Sequence, residues 1–73
     1  MVITTASGSK YTFTVKDNEI HFLNGLKEGV VSSLSGLEVG SNLEIHFLGL
    51  NPQTYEKSEE LSYIRTTPIV SIE

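Results

Sequence analysis

Apolar and polar residues alternate with a period of two along much of this chain, the signature of strands with one face turned to a core. The clearest case is Lys10–Lys16, where Tyr11, Phe13 and Val15 share one face and Lys10, Thr12, Thr14 and Lys16 the other. Asp17 and Asn18 follow, two residue types that tolerate positive φ, so a primed hairpin turn into a strand at Glu19–Leu23 is predicted. Upstream, the β-branched run Val2–Thr5 predicts a first strand, closed by the turn formers Ala6, Ser7, Gly8 and Ser9. Downstream, Asn24 and Gly25 signal another turn, and Leu26–Val31, interrupted by Gly29, reads as a weak or bent strand.

Ser32–Asn42 holds four serines and two glycines among Leu34, Leu37 and Val39. It reads as a loop that tucks a few apolar side chains beneath itself, since Ser and Gly are poor in helix interiors. Leu43–Leu48 is the next predicted strand, with Leu43, Ile45 and Phe47 on one face. Gly49–Glu60 is polar and reads as an exposed loop or a single helical turn started by Ser58. Leu61–Thr67 and Ile69–Ile72 form a last strand broken at Pro68, which cannot donate to a ladder and marks an edge or a change of partner.

Five to six short, mostly antiparallel strands with turn signals between them predict an all-β fold, a small single-domain barrel or sandwich of SH3-like or OB-like size. The predicted core is Ile3, Tyr11, Phe13, Val15, Ile20, Phe22, Leu43, Ile45, Phe47 and Val70. In the same phase Leu23, Leu48 and Ile64 point outward. A chain of 73 residues cannot cover both faces of its sheet, so these three are expected at an interface, most simply with a second copy of the chain.

The segment EIHFL occurs twice, at Glu19–Leu23 and Glu44–Leu48. Were these strands neighbours, His21 and His46 could share a face at a spacing compatible with a divalent metal. The simpler reading makes both histidines, and Glu19 and Glu44 with them, solvent-side members of alternating strands. With no cysteine and no third converging ligand, no metal site and no cofactor is expected.

Nine acidic against five basic residues give a formal net charge of −4, the wrong sign for gripping a phosphate backbone, so no nucleic-acid partner is expected. No apolar run approaches the ~18–20 residues of a membrane span, and no basic segment followed by an apolar run opens the chain. A cytoplasmic protein without membrane attachment is therefore expected, a setting that the lack of cysteine permits.

No serine sits in a strand-to-helix elbow and neither histidine has a triad context, so no catalytic residue is assigned and the chain is not expected to be an enzyme. Two segments could nonetheless read a ligand. Arg65, the single arginine, is flanked by Tyr63, Thr66 and Thr67, which combine bidentate grip with directional hydroxyls. Ser7, Gly8 and Ser9 form a turn whose amides and hydroxyls could hold an anion, although no phosphate-binding helix follows.

The opening ITTASGSKYTF and the ending IRTTPIVSIE resemble the ends of short, functionally uncharacterised β-rich proteins of bacteria and their phages. The resemblance covers only the two ends of the chain and transfers no site residue. It implies a stand-alone small domain and a phage or mobile-element setting. Two functions follow as expectations. The first is a non-enzymatic interaction module, a small homo-oligomeric β domain that binds a protein partner through an exposed face or edge. The alternative, by analogy with small phage antagonists, is sequestration of a small anionic ligand such as a signalling nucleotide, by Arg65, Thr66, Thr67 and the Ser7–Ser9 turn.

Overall fold

The computed structural model describes residues 1–73. Six strands follow one another: β1 (Val2–Thr5), β2 (Lys10–Lys16), β3 (Glu19–Asn24), β4 (Lys27–Ser35), β5 (Asn42–Leu50) and β6 (Lys57–Ile72). Each pairs antiparallel with its neighbour in sequence, and β6 returns to β1 to close the barrel. Of the two all-β forms expected from the alternation, barrel or sandwich, the fold is the barrel, and its order is a plain meander without a Greek-key crossover. The β2–β3 turn takes the conformation its residues favour, with φ of 53° at Asp17 and 63° at Asn18.

Closure depends on β6. Its first part pairs with β5, from Leu50↔Lys57 to Asn42↔Pro68, and its last residues pair with β1, from Thr5↔Ile69 to Ile3↔Ile72. Pro68 stands where the partner changes. Its carbonyl accepts the Ala6 N–H at 2.8 Å, and the next residue, Ile69, exchanges hydrogen bonds with Gly40 and Ser41. The strand is therefore continuous through the proline, not broken at it, because a residue without an N–H costs nothing where the ladder passes from one neighbour to the other.

The core consists of Ile3, Tyr11, Phe13, Phe22, Leu43, Ile45, Phe47 and Ile69. Phe22 meets Phe47 edge to face, with ring centres 4.6 Å apart. Gly29 makes room for them: a Cβ there would lie 2.6 Å from Phe47 Cδ2 and 2.7 Å from Phe22 Cε1. Three expected core residues are exposed instead, namely Val15 at 78%, Ile20 at 43% and Val70 at 54%. Val15 and Ile20 keep the inward phase but lie next to the β2–β3 turn, past the end of the packed barrel. Val70 is out of phase because the register shifts beside Pro68 put Thr66 and Ile69 inside, three residues apart rather than two.

Two expected loops shorten. Ser32–Ser35 belongs to β4, which bends at a bulge between Val31 and Ser33 and stays paired with β5. At the other connection only residues 51–56 separate β5 from β6, so Ser58–Glu60 is strand and starts no helical turn. Asn51 organises the connection by accepting the N–H groups of Gln53 and Thr54 on its side-chain oxygen. Ile64, expected outward, packs against the core, and Leu48 is half-buried; of the three expected interface residues only Leu23 is openly exposed. No helix of the chain is long and apolar enough to cross a membrane.

Candidate functional site

The two segments singled out for ligand reading come together in part. The Ser7 N–H donates to Thr67 Oγ1 at 3.1 Å, the Thr67 hydroxyl donates to Ser7 Oγ at 3.2 Å, and the Ser7 and Ser9 hydroxyls are 3.4 Å apart. Thr5 joins the group through Ser7, with Oγ atoms 3.2 Å apart. Gly8, at φ +89°, turns the chain here. Thr66 is not part of this cluster. It faces the interior, where its hydroxyl accepts the Leu43 N–H at 3.0 Å and donates to the Thr67 carbonyl at 2.7 Å. Its role is to satisfy backbone where β6 leaves β5.

Tyr63 and Arg65 alternate with Thr67 along β6, and the Cα partner of Arg65 is Glu44. The Tyr63 hydroxyl donates to Glu44 Oε1, and this bond holds the phenol above its ordinary pKa of 10.0. His46 stacks on Tyr63 with ring centres 4.8 Å apart and contacts Ser33 through Nδ1. The hydroxyls are thus engaged with each other and with a carboxylate. Arg65 is exposed, and neither it nor Thr67 or Ser7 lines any cleft of the molecule. What the arrangement does chemically is tie the β1–β2 turn and β5 to β6 with hydrogen bonds.

The two copies of EIHFL are separated by β4, so His21 and His46 do not meet. Their surroundings also differ. His21 is not a solvated surface residue: its side chain is 14% exposed, its Nδ1 is buried without a hydrogen bond, and Glu19 and Glu28 lie 3.8 and 3.9 Å from its two nitrogens. Because the carboxylates approach opposite nitrogens, the group does not converge on a single point. Glu19 is held by Lys57 Nζ at 2.5 Å, which keeps its carboxyl below the usual value.

The feature that alternation alone does not reveal is an apolar mouth at one end of the barrel. The β3–β4 ladder ends at His21↔Val30, while β4 continues beside β5 to Ser35↔Glu44. The β1–β2 ladder ends at Val2↔Thr12, with Met1 and Phe13 exchanging one further pair of backbone hydrogen bonds. The tip of the β2–β3 hairpin therefore projects beyond its neighbours and diverges from the second half of β4. Between them opens a cleft of about 470 Å³ lined by Met1, Phe13, Val15, Ile20, Leu34 and Leu37, with Thr14 the one polar residue. A wider depression of about 760 Å³ at the other end of β3 is more polar, with Lys27, Glu28 and Ser62 among its lining residues.

A signal for the mouth was present in the sequence: the first strand has four residues and the second seven, so one end of the second must outrun the first. No family model, curated protein or solved structure matches this chain.

Proposed function

We propose that this chain is a non-catalytic interaction module that docks a protein partner at the apolar mouth formed by Val15, Ile20, Leu34 and Leu37. The observation that carries the reading is that Val15, Ile20 and Leu34 occupy the inward phase of their strands yet line an open cleft, Val15 being the most exposed, and that Leu37, in the connection after β4, joins them there. Apolar side chains gathered in an open cleft, rather than scattered singly, are the ordinary mark of a surface awaiting a partner. The mouth is preferred to the three residues expected at an interface because Ile64 packs against the core and Leu48 is half-buried, which leaves Leu23 exposed by itself. The absence of a convergent nucleophile, base and oxyanion site supports a binding role over a catalytic one.

Sequestration of a small anionic ligand has less support. Arg65 stands on an open face beside Glu44, and the hydroxyls of Ser7 and Thr67 are satisfied by each other. Panning a random peptide library on the protein tests the main reading. Apolar peptides should be enriched and should lose binding to a Val15→Asp variant. Failure to enrich any, or undiminished binding to that variant, would remove the mouth as the docking surface.

A further inference from the structure

We infer that a second copy of this chain pairs antiparallel with the outer edge of β6, about a two-fold axis at Ser62, joining the two barrels into one continuous sheet. The edge is open because β6 outruns its pairing with β1. Its first part pairs with β5 alone, and β1 joins only at Ile69–Ile72, so from Ser58 to Arg65 the side of the strand turned away from β5 has no strand partner. Ser58–Tyr63 and Arg65 are all exposed. Such an edge is a template for another strand unless charge or irregularity blunts it. Here only its first end is blunted: Ser58–Glu60 bulge opposite Gly49, and the Ser58 hydroxyl accepts the Glu60 N–H and donates to the Glu60 carbonyl. Leu61–Arg65 keeps a regular ladder with β5 and is left open.

The sequence of this edge selects its own copy as the occupant. Residues that face each other across an antiparallel pair share a sheet face, so the axis of a self-paired strand must pass through a residue. With the axis at Ser62, Leu61 of each copy lies opposite Tyr63 of the other, and Arg65 of each meets the Glu59–Glu60 end of the other. Apolar–aromatic and opposite-charge pairs are both favourable cross-strand neighbours, and the two-fold makes each of them twice. An axis at Tyr63 would instead set Arg65 against Leu61. Arg65, Glu59 and Glu60 have no ion-pair partner within the chain, and Leu61 and Tyr63 are among its exposed large side chains. The seam therefore joins opposite charges although each copy carries a net charge of −4. Because both copies use the same edge, assembly stops at two. The apolar mouth is lined by none of these residues and stays free for a different partner.

Sedimentation equilibrium of the full chain over a range of concentrations should show a monomer–dimer equilibrium. Arg65→Glu should weaken the dimer about tenfold, and so should the double variant Glu59→Arg, Glu60→Arg. An equal mixture of these two chains should restore it, since opposite charges then meet at both ends of the seam, and the restoration shows that both variants fold. The chain has no cysteine, so a single one can report the register. With a short thiol cross-linker, Ser62→Cys should give covalent dimers. Ser58→Cys should not, because its two copies lie about 26 Å apart along the ladder in this register. A monomer at every concentration would overturn the inference. So would a dimer that the mixture does not restore, or one that cross-links as readily through Ser58→Cys as through Ser62→Cys. A dimer dissociated by Val15→Asp but untouched by Arg65→Glu would place the second copy at the mouth and overturn it as well.

Discussion

Lys57, the first residue of β6, places its ammonium 2.5 Å from Glu19 Oε2 at the start of β3, joining two strands that are not neighbours in the sheet. The contact ties the projecting β2–β3 hairpin to the β5–β6 connection from outside, and Lys16 over Tyr55 makes a second tie between the same parts. One wall of the apolar mouth is thus positioned by polar contacts on its outer side.

The Lys57 hydrogen bond is the principal reason Glu19 ionises more readily than an ordinary glutamate. In Lys57→Met, carbon-detected NMR titration should show the Glu19 carboxyl moving up toward the usual value near ~4.3. Because the folded-state value is depressed, the associated stability is present above the unfolded pKa and is lost as pH falls through the folded one. The acid limb of the stability profile should therefore separate parent from variant, with the difference vanishing at the acid extreme. An unchanged Glu19 titration would show that the contact does not persist in solution.

Gly29 has no room for a side chain, since its Cβ would press on the rings of Phe22 and Phe47. Gly29→Ala should destabilise the barrel by about 1–3 kcal/mol in urea unfolding, the usual cost of overpacking. A variant as stable as the parent would mean the aromatic pair can yield.

Phe47 and Val15 are both inward-phase aromatic or aliphatic residues, yet their truncations should differ widely. Phe47→Ala should cost about 3–5 kcal/mol, whereas Val15→Ala, at a position 78% exposed, should stay within about 0.5 kcal/mol. Comparable losses at both positions would show that the mouth is closed in solution.

Tyr63 donates its phenol to Glu44, which raises its pKa. Absorbance titration should find one of the three tyrosines ionising above the normal range, and Glu44→Gln should bring it down. The sign is that of a raised group: its contribution to stability is complete below the unfolded value near ~10 and is lost as pH rises through the folded one. A parent protein whose tyrosines all titrate normally would exclude the bond.

Much of the fold was legible in the alternation itself. Strand β2, the Asp17–Asn18 turn, β3 and β5 lie where the period of two and the turn residues put them, and Phe13, Phe22, Leu43, Ile45 and Phe47 are core as expected. These are local properties, since backbone geometry fixes which side chains share a face and which residues accept positive φ. The all-β class followed from the same local information, the repeated period of two between turn residues.

Tertiary structure alone decided the rest. Whether an inward-phase residue is buried depends on whether a neighbouring strand extends past it, so Val15 and Ile20 are accessible while Phe13 and Phe22, two residues away on the same faces, are core. The phase of β6 depended on register shifts near Pro68 where it passes from β5 to β1, which moved burial from Val70 to Ile69. The separation of His21 from His46, the convergence of Ser7 with Thr67, and the gap between β3 and β4 are likewise products of strand order and stagger. Strand order and stagger are set when the sheet closes on itself, because closure links every register to every other through the tilt of the barrel, and no single segment carries that constraint.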